Sequence, residues 1–428
     1  YFSSIYYLSN IYLTMMNRRT LLLGTTGLVA GSVLTGCNRA ANPLQVELLA
    51  GAIPPEVLNE FKKTTQFPVK FQTLGQMQVT FQQLQRWQQT PDKPSSWIRW
   101  PWQQASGPLT ESQRLVSLGD YWLKQAIAQD LIEPMPLPEA LLAPLPNQWQ
   151  QFVTRDADGQ LPIGEAPTNS LWAAPYKVQS LVIVYRQSQV PQLNKALGRP
   201  ESAAPFQQWR DLLNPVLRGR TALPNHPNLV IGLLQKLQTD RFNAVFDVSA
   251  SRTSSVAALT QRLRSQLGDA FAELNQQVRT YDSTTALKAL VNEDVQVVVT
   301  WSGDVQLALQ RYRDLRVAMP EDGSLLSADM WVQPKETELS EAAKAWIAFC
   351  WQAGPATQIS VAGEGVSPIF LSESVLDGTS EQVSFPEALS SRRKMAEVMQ
   401  RSELLRPLPD AMQAAYFSLW EQLRTEEV

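Results

Sequence analysis

Apolar residues recur along this chain with two periods. Leu44-Gln45-Val46-Glu47-Leu48-Leu49-Ala50 reads as a first strand. Pro54-Pro55 then opens a helix with Val57, Leu58 and Phe61 on its apolar side, proline standing at the first turn where a missing N–H costs least. Val69-Lys70-Phe71-Gln72-Thr73 alternates as a second strand. Strand, helix, strand is the opening of a parallel sheet. A Gln-rich helix over 76–89 follows, and 115–123 leads into a helix ending near Asp130. Residues 172–185 form a long apolar, extended segment with Pro175 early and polar Gln179 and Ser180 in its middle, a candidate for crossing between two lobes.

The second half repeats the alternation. A short strand over 219–223, helices over 229–237 and 262–277, a strand over 278–281 and a helix over 283–290 capped by Asp282 or Ser283 are expected. The stretch 295–312 is the most informative. Val295, Val297, Val298 and Val299 make a β-branched run of the kind that forms a buried strand. Trp301-Ser302-Gly303-Asp304 interrupts it, and 305–312 has helical spacing. A strand ending in a glycine-containing turn before a helix is where open α/β proteins place their ligands. Trp301 and Asp304 are therefore candidates for such a site, and a core tryptophan with a helix-capping aspartate remains the alternative. Strands over 315–320 and 328–334 follow, the second headed by Asp329, and the remainder is largely helical.

Composition narrows the class. Of 428 residues, 44% are hydrophobic and 18% charged, as in a folded protein with enough chain for two or three globular units. Lys and Arg number 37 against 40 Asp and Glu, so nothing in the charge balance calls for nucleic acid as a partner. Cys37 and Cys350 are the two cysteines; Cys350 lies in an apolar helical stretch and reads as a buried, inert thiol. The one histidine, His226, has no second histidine or acidic cluster near it in sequence and reads as a helix-entry residue, not a metal ligand or catalyst. No G-x-S-x-G, Walker loop or dinucleotide fingerprint occurs. What remains is aromatic and acidic side chains at strand ends, which points to binding.

The segment ending at Cys37 changes the picture of where the protein works. Asn17-Arg18-Arg19 is followed by a mildly apolar run too short for an ordinary span, as in a signal peptide. Leu34-Thr35-Gly36-Cys37 resembles the bacterial lipobox, whose cysteine is lipidated, and Arg18-Arg19 with Leu21-Leu22 resembles a twin-arginine export signal. Residues 1–36 are read as signal peptide with a possible misassigned upstream extension, and 37–44 as a lipid-anchored tether. The expected location is periplasmic, or the extracytoplasmic face of the cytoplasmic membrane, with the membrane touched through the lipid anchor only.

Several segments together resemble the extracellular solute-binding proteins of bacterial ABC importers, most of all the spermidine/putrescine-binding branch. They are 53–61 with Val69, 174–185, 281–290, 297–304 and 320–331, in that order. The resemblance implies a type II periplasmic-binding-protein fold with two α/β lobes of mostly parallel sheets. It divides the chain into 45–178 with 302–328 and 183–300 with 331–428, joined by crossings near 179–183, 300–302 and 328–331. It implies a solute, a polyamine such as putrescine or spermidine, held by Trp301, Asp304, Asp329, Tyr176, Gln179 and Ser180, and an ABC permease as partner. No cofactor, metal or enzymatic activity is implied. An ammonium group needs a carboxylate, and a tryptophan face adds cation–π attraction. The chain departs from the polyamine pattern at Leu48-Leu49-Ala50-Gly51-Ala52, where aromatic and hydroxyl side chains are expected, leaving Trp97, Trp100 or Trp102 as replacements. A different solute (a sugar, an amino-acid derivative or a metal chelate) and a sensory or assembly lipoprotein stay open.

Overall fold

The computed structural model describes residues 42–75, 77–89, 113–162, 169–242, 254–363 and 365–425. Arg18, Arg19, Cys37, Trp97, Trp100 and Trp102 lie outside them. The chain opens with β1 (Leu44–Leu49), α1 (Pro55–Thr64), β2 (Val69–Leu74), α2 (Met77–Gln89), β3 (Arg114–Gly119) and α3 (Asp120–Ala128). β1 pairs in parallel with β2 and β3, and its Leu44, Val46 and Leu48 are buried. β2 is half exposed, as suits the edge strand of that half. Pro54 and Pro55 start α1, and Glu56 in its first turn with Lys62 and Lys63 in its last complement the helix dipole.

The long strand β4 (Ala174–Arg186) organises the rest. Around it lie β5 (Thr221–Leu223), β6 (Val278–Tyr281), β7 (Val297–Trp301), β8 (Leu315–Ala318) and β9 (Leu325–Pro334), in the ladder β2-β1-β3-β9-β4-β7-β5-β6 with β8 also on β4. The first half of β4 pairs antiparallel with β9, and the second half pairs antiparallel with β7 and β8. The helices that cover the strands include α4 (Pro227–Thr239), α5 (Val256–Asn275), α6 (Ala286–Val291), α7 (Glu341–Cys350), α8 (Ala353–Ala362) and α9 (Asp410–Thr425).

Two main cores result. Val46, Leu115, Tyr176, Trp331, Trp346 and Phe370 belong to the first. Leu181, Ile183, Trp209, Leu233, Leu267 and Tyr416 belong to the second. A smaller cluster with Val182, Val184 and Val298 lies on the other face of β4. The chain changes core between Val178 and Leu181, between Leu325 and Leu326, and between Leu404 and Leu405.

This corrects the division expected from sequence. Residues 302–325 stay with the second lobe: after β7 the chain returns as β8 against the same half of β4, and Val305 and Leu315 pack with Val182 and Val298. Residues 331–399 belong to the first lobe, because Trp331, Trp346, Phe349 and Phe370 fill its core; the second lobe regains the chain from Leu405 onward. Residues 300–302 are thus a strand end and not a crossing, and 328–331 lie inside the first lobe. Cys350 is buried and its thiol is pushed well up by that burial, as its apolar surroundings predicted. No helix among the described residues is long and apolar enough to cross a membrane.

Candidate functional site

Charged side chains gather where β4 and β9 pass between the lobes. Lys177 on β4 stands opposite Asp329 on β9 in register, and its Nζ lies 2.9 Å from Asp329 Oδ2. Both are nearly inaccessible, with residue exposures of 4% and 7%. Gln179, on the same face of β4, donates from Nε2 to Asp329 Oδ2 at 3.3 Å. Gly303 presses on this amide from the second lobe, where any Cβ would collide with Gln179. A side chain in the turn after β7 would have to push this amide aside. Asp304, the neighbour of Gly303, is exposed, yet burial still raises its carboxyl pKa. Thr300 Oγ1, donating at 3.2 Å, lowers it, Asp329 raises it and Lys177 lowers it.

A third carboxylate, Asp120, stands at the start of α3 beside Gly119, the register partner of Asp329. Its Oδ1 accepts from Ser327 Oγ at 2.6 Å and from the Tyr121 N–H at 3.0 Å, while Oδ2 is buried without a partner. Burial first, and the nearby Asp329 charge, push Asp120 up to about 7 against the pull of the Ser327 bond. Arg155, buried against Phe152 with its guanidinium lowered by burial to about 10, feels the Asp120 charge without a salt bridge to it. Among the described residues no group of three or more His, Cys, Asp or Glu could hold a metal ion, so the three carboxylates do not share one point.

Asp120 also lines an interlobe cavity of about 360 Å³, with Tyr121 and Gln125 from the first lobe and Asn228, Leu405 and Gln413 from the second. At its edge the Tyr121 ring meets His226 edge-on, centroids 4.9 Å apart. Lys124 of α3 donates to Leu408 O at 2.7 Å and pairs with Asp410. His226 is the residue before α4, as a helix-entry position, and burial lowers its imidazole to about 4.

The structure thus brings Gln179, Asp304 and Asp329 into one region, with Trp301 half-buried against the second core beside them. Tyr176 and Ser180 are not presented to a solute. Tyr176 is fully buried, stacked on Trp331 at 4.6 Å and bonded to Ser117 Oγ at 2.7 Å. Ser180 is fully buried, its N–H donating to Ser302 Oγ and its hydroxyl to the Met319 sulfur. Strand alternation puts 177 and 179 on one face and 178 and 180 on the other, and the register irregularity at Asp329/Met330 leaves Tyr176 outside the pairing. Sequence reasoning missed Lys177 and Asp120. The signals were present: a lysine inside an apolar strand, and Gly119-Asp120 at a strand end, the same pair as Gly303-Asp304.

Comparison with known proteins decides the class. A family model described as bacterial extracellular solute-binding protein matches residues 115–387, more than half of the chain. The chain belongs to this family. It is a solute-binding protein of the periplasmic-binding-protein fold, and not an enzyme. The spermidine/putrescine ABC transporter substrate-binding protein PotD of Streptococcus pneumoniae matches with TM-score 0.64 and 17% identity, over 90% of this chain and 100% of that one. A spermidine/putrescine ABC transporter protein of Listeria monocytogenes has TM-score 0.56 and 18% identity over 90% and 99%. The PBP MotA of A. tumefaciens B6, solved with glucopine, has TM-score 0.52 and 13% identity over 90% and 99%. At such identities the likeness speaks for the fold. No curated protein matches the chain by sequence.

Proposed function

We propose that this solute-binding protein captures a polyamine of the putrescine and spermidine class by closing its lobes, and delivers it to an ABC permease. The observation that carries the reading is electrostatic. Asp329 pairs directly with the Lys177 ammonium, whose charge also reaches Asp304, and Arg155 feels Asp120; three carboxylates against two cations leave one negative charge when all are ionised. Burial, first of all, raises the carboxyl pKa values of Asp120 and Asp304, and a cationic solute favours their ionised forms. Each charge-assisted hydrogen bond so formed is worth about 1.5–3 kcal/mol. Trp301 adds a wall for the methylene chain. The spermidine/putrescine names of two proteins of similar fold agree with this chemistry. In the same reading Arg18-Arg19 directs export and lipidated Cys37 holds the protein at the membrane. Closure makes the surface that the permease reads.

Calorimetric titration with putrescine and spermidine tests the proposal: heat and a thermal shift are expected, and neither at millimolar polyamine sinks it. A second reading keeps the fold and changes the solute. It is favoured by Leu48-Leu49-Ala50-Gly51-Ala52, which brings no aromatic face to the end of β1. Heat with a sugar–amino-acid conjugate such as glucopine, and none with polyamines, would select it.

A further inference from the structure

The charged residues of the site follow the order of the strands that carry them. Across the ladder β3-β9-β4-β7 they run Asp120, Asp329, Lys177 and Asp304. With strands about 4.8 Å apart, the two outer carboxylates are rooted about 14 Å from one another. The carboxylate between them is taken: Asp329 already holds Lys177 Nζ at 2.9 Å and the Gln179 amide at 3.3 Å. The outer two hold no cation in direct contact: Asp120 is buried, bonded to Ser327 and the Tyr121 N–H, and lines the interlobe cavity, and Asp304 is exposed with Thr300 as its side-chain donor.

The lysine is accommodated by design of its surroundings. A Cβ on Gly363 would stand 2.8 Å from Lys177 Cδ; one on Gly365 would meet the Val178 backbone oxygen first and Lys177 Cγ at 3.1 Å, so both glycines keep side chains out of the lysine's path. A buried ion pair contributes little net stability, because desolvating both charges offsets their attraction and an apolar pair of similar size does as well. The pair therefore calls for a reason other than stability.

We propose that Lys177 is the specificity-determining residue of the site: its ammonium occupies the place a central amine would need, so the protein selects long diamines, charged at both ends and neutral in the middle, over triamines. This rests on the polyamine reading above. A solute lying along the row meets Asp120 with one terminal ammonium and Asp304 with the other. Its centre passes Lys177, which tolerates methylenes and repels a second cation.

Spermidine and 1,8-diaminooctane make the comparison clean, since they have the same chain length and differ in one central NH₂⁺ replaced by CH₂. In calorimetric titrations at one pH and low salt, the wild-type protein is expected to bind the diamine at least about tenfold more tightly, which is about 1.4 kcal/mol. Lys177→Met removes the ammonium with little change of volume and frees Asp329, and should reverse the preference toward spermidine. Lys177→Arg keeps the cation and should keep the preference for the diamine, a change that a merely structural role for Lys177 would not separate from Lys177→Met. Equal binding of the two compounds by the wild type, or tighter binding of spermidine, overturns the role of Lys177 and leaves the polyamine reading standing. The wild-type comparison decides this even if Lys177→Met does not fold. An unchanged ratio in folded Lys177→Met overturns it as well. Binding of neither compound by wild type or variants overturns both proposals together.

Discussion

Two strand ends in this protein carry the same pair of residues, Gly119-Asp120 after β3 and Gly303-Asp304 after β7, one in each lobe. Their aspartates differ in setting. Asp120 is buried, tied to Ser327, and raised to about 7. Asp304 is exposed, with Thr300 at 3.2 Å, and burial raises its carboxyl pKa. The same dipeptide at equivalent places thus makes one buried carboxyl, raised to about 7, and another that greets the solvent. Between them Asp329 is already satisfied by Lys177. Position on a strand end marks a residue for the cleft, and the packing behind it sets what charge it carries there.

The largest effect that would sharpen this contrast concerns the central pair. Asp329→Asn leaves the Lys177 ammonium buried without a counter-charge and should destabilise the protein by about 3–5 kcal/mol. Thermal melts are expected to fall by about 10 °C. A melt within about 2 °C of wild type would mean that Lys177 finds another partner at no cost.

Next in size are the outer carboxylates. Asp120→Asn and Asp304→Asn should each weaken polyamine binding by about 1.5–3 kcal/mol, roughly 10–150-fold, in calorimetry. Asp304→Ala should abolish it, and retained affinity would return Asp304 to being a structural residue of its turn. Stability should separate the two amides. A carboxyl whose folded pKa is raised above the unfolded value of 3.8 costs the folded state free energy at high pH, so Asp120→Asn should stabilise the unliganded protein at pH 8 by about 2–4 kcal/mol, shrinking toward pH 4. Asp304→Asn should gain less. Equal gains in denaturant titrations would break the comparison.

The pH dependence of binding is smaller but more specific. A cation favours ionised Asp120, so binding should expel a proton near pH 6, and affinity should drop as pH falls from 8 to 5. Asp120→Asn should flatten that profile and Asp304→Asn should largely keep it. Smallest of all, Gly303→Ala must displace the Gln179 amide, and is expected to cost about 1 kcal/mol in binding or stability.

Much of this was legible beforehand because local pattern carries it. The valine run into Trp301-Ser302-Gly303-Asp304 did end as a strand and a turn, with Asp329 close enough to act on Asp304. Long-range pairing was not legible. Nothing local in 331–399 says that Trp331 and Trp346 return to the core begun by Val46, because either lobe would accept an apolar helix. Nor does periodicity say which face of β4 meets the cleft, so Tyr176 and Ser180 read as equivalent to Gln179 until register placed Ser180 one step out of phase and Tyr176 at an irregularity. Lys177 was the visible exception, a charge inside an apolar strand, which only a partner on the neighbouring strand could explain.

The edge-on contact of Tyr121 with His226 has a practical consequence. Because the chain holds one histidine, its imidazole gives a single set of magnetic resonance signals, and that ring sits where α3 of the first lobe touches the entry of α4 in the second. In the arrangement described, burial keeps the ring neutral down to about 4. Swung open into water it would titrate near 6.5. At pH 5.5 the protein therefore carries its own built-in reporter, one proton on one ring, for the fraction of molecules whose lobes have parted.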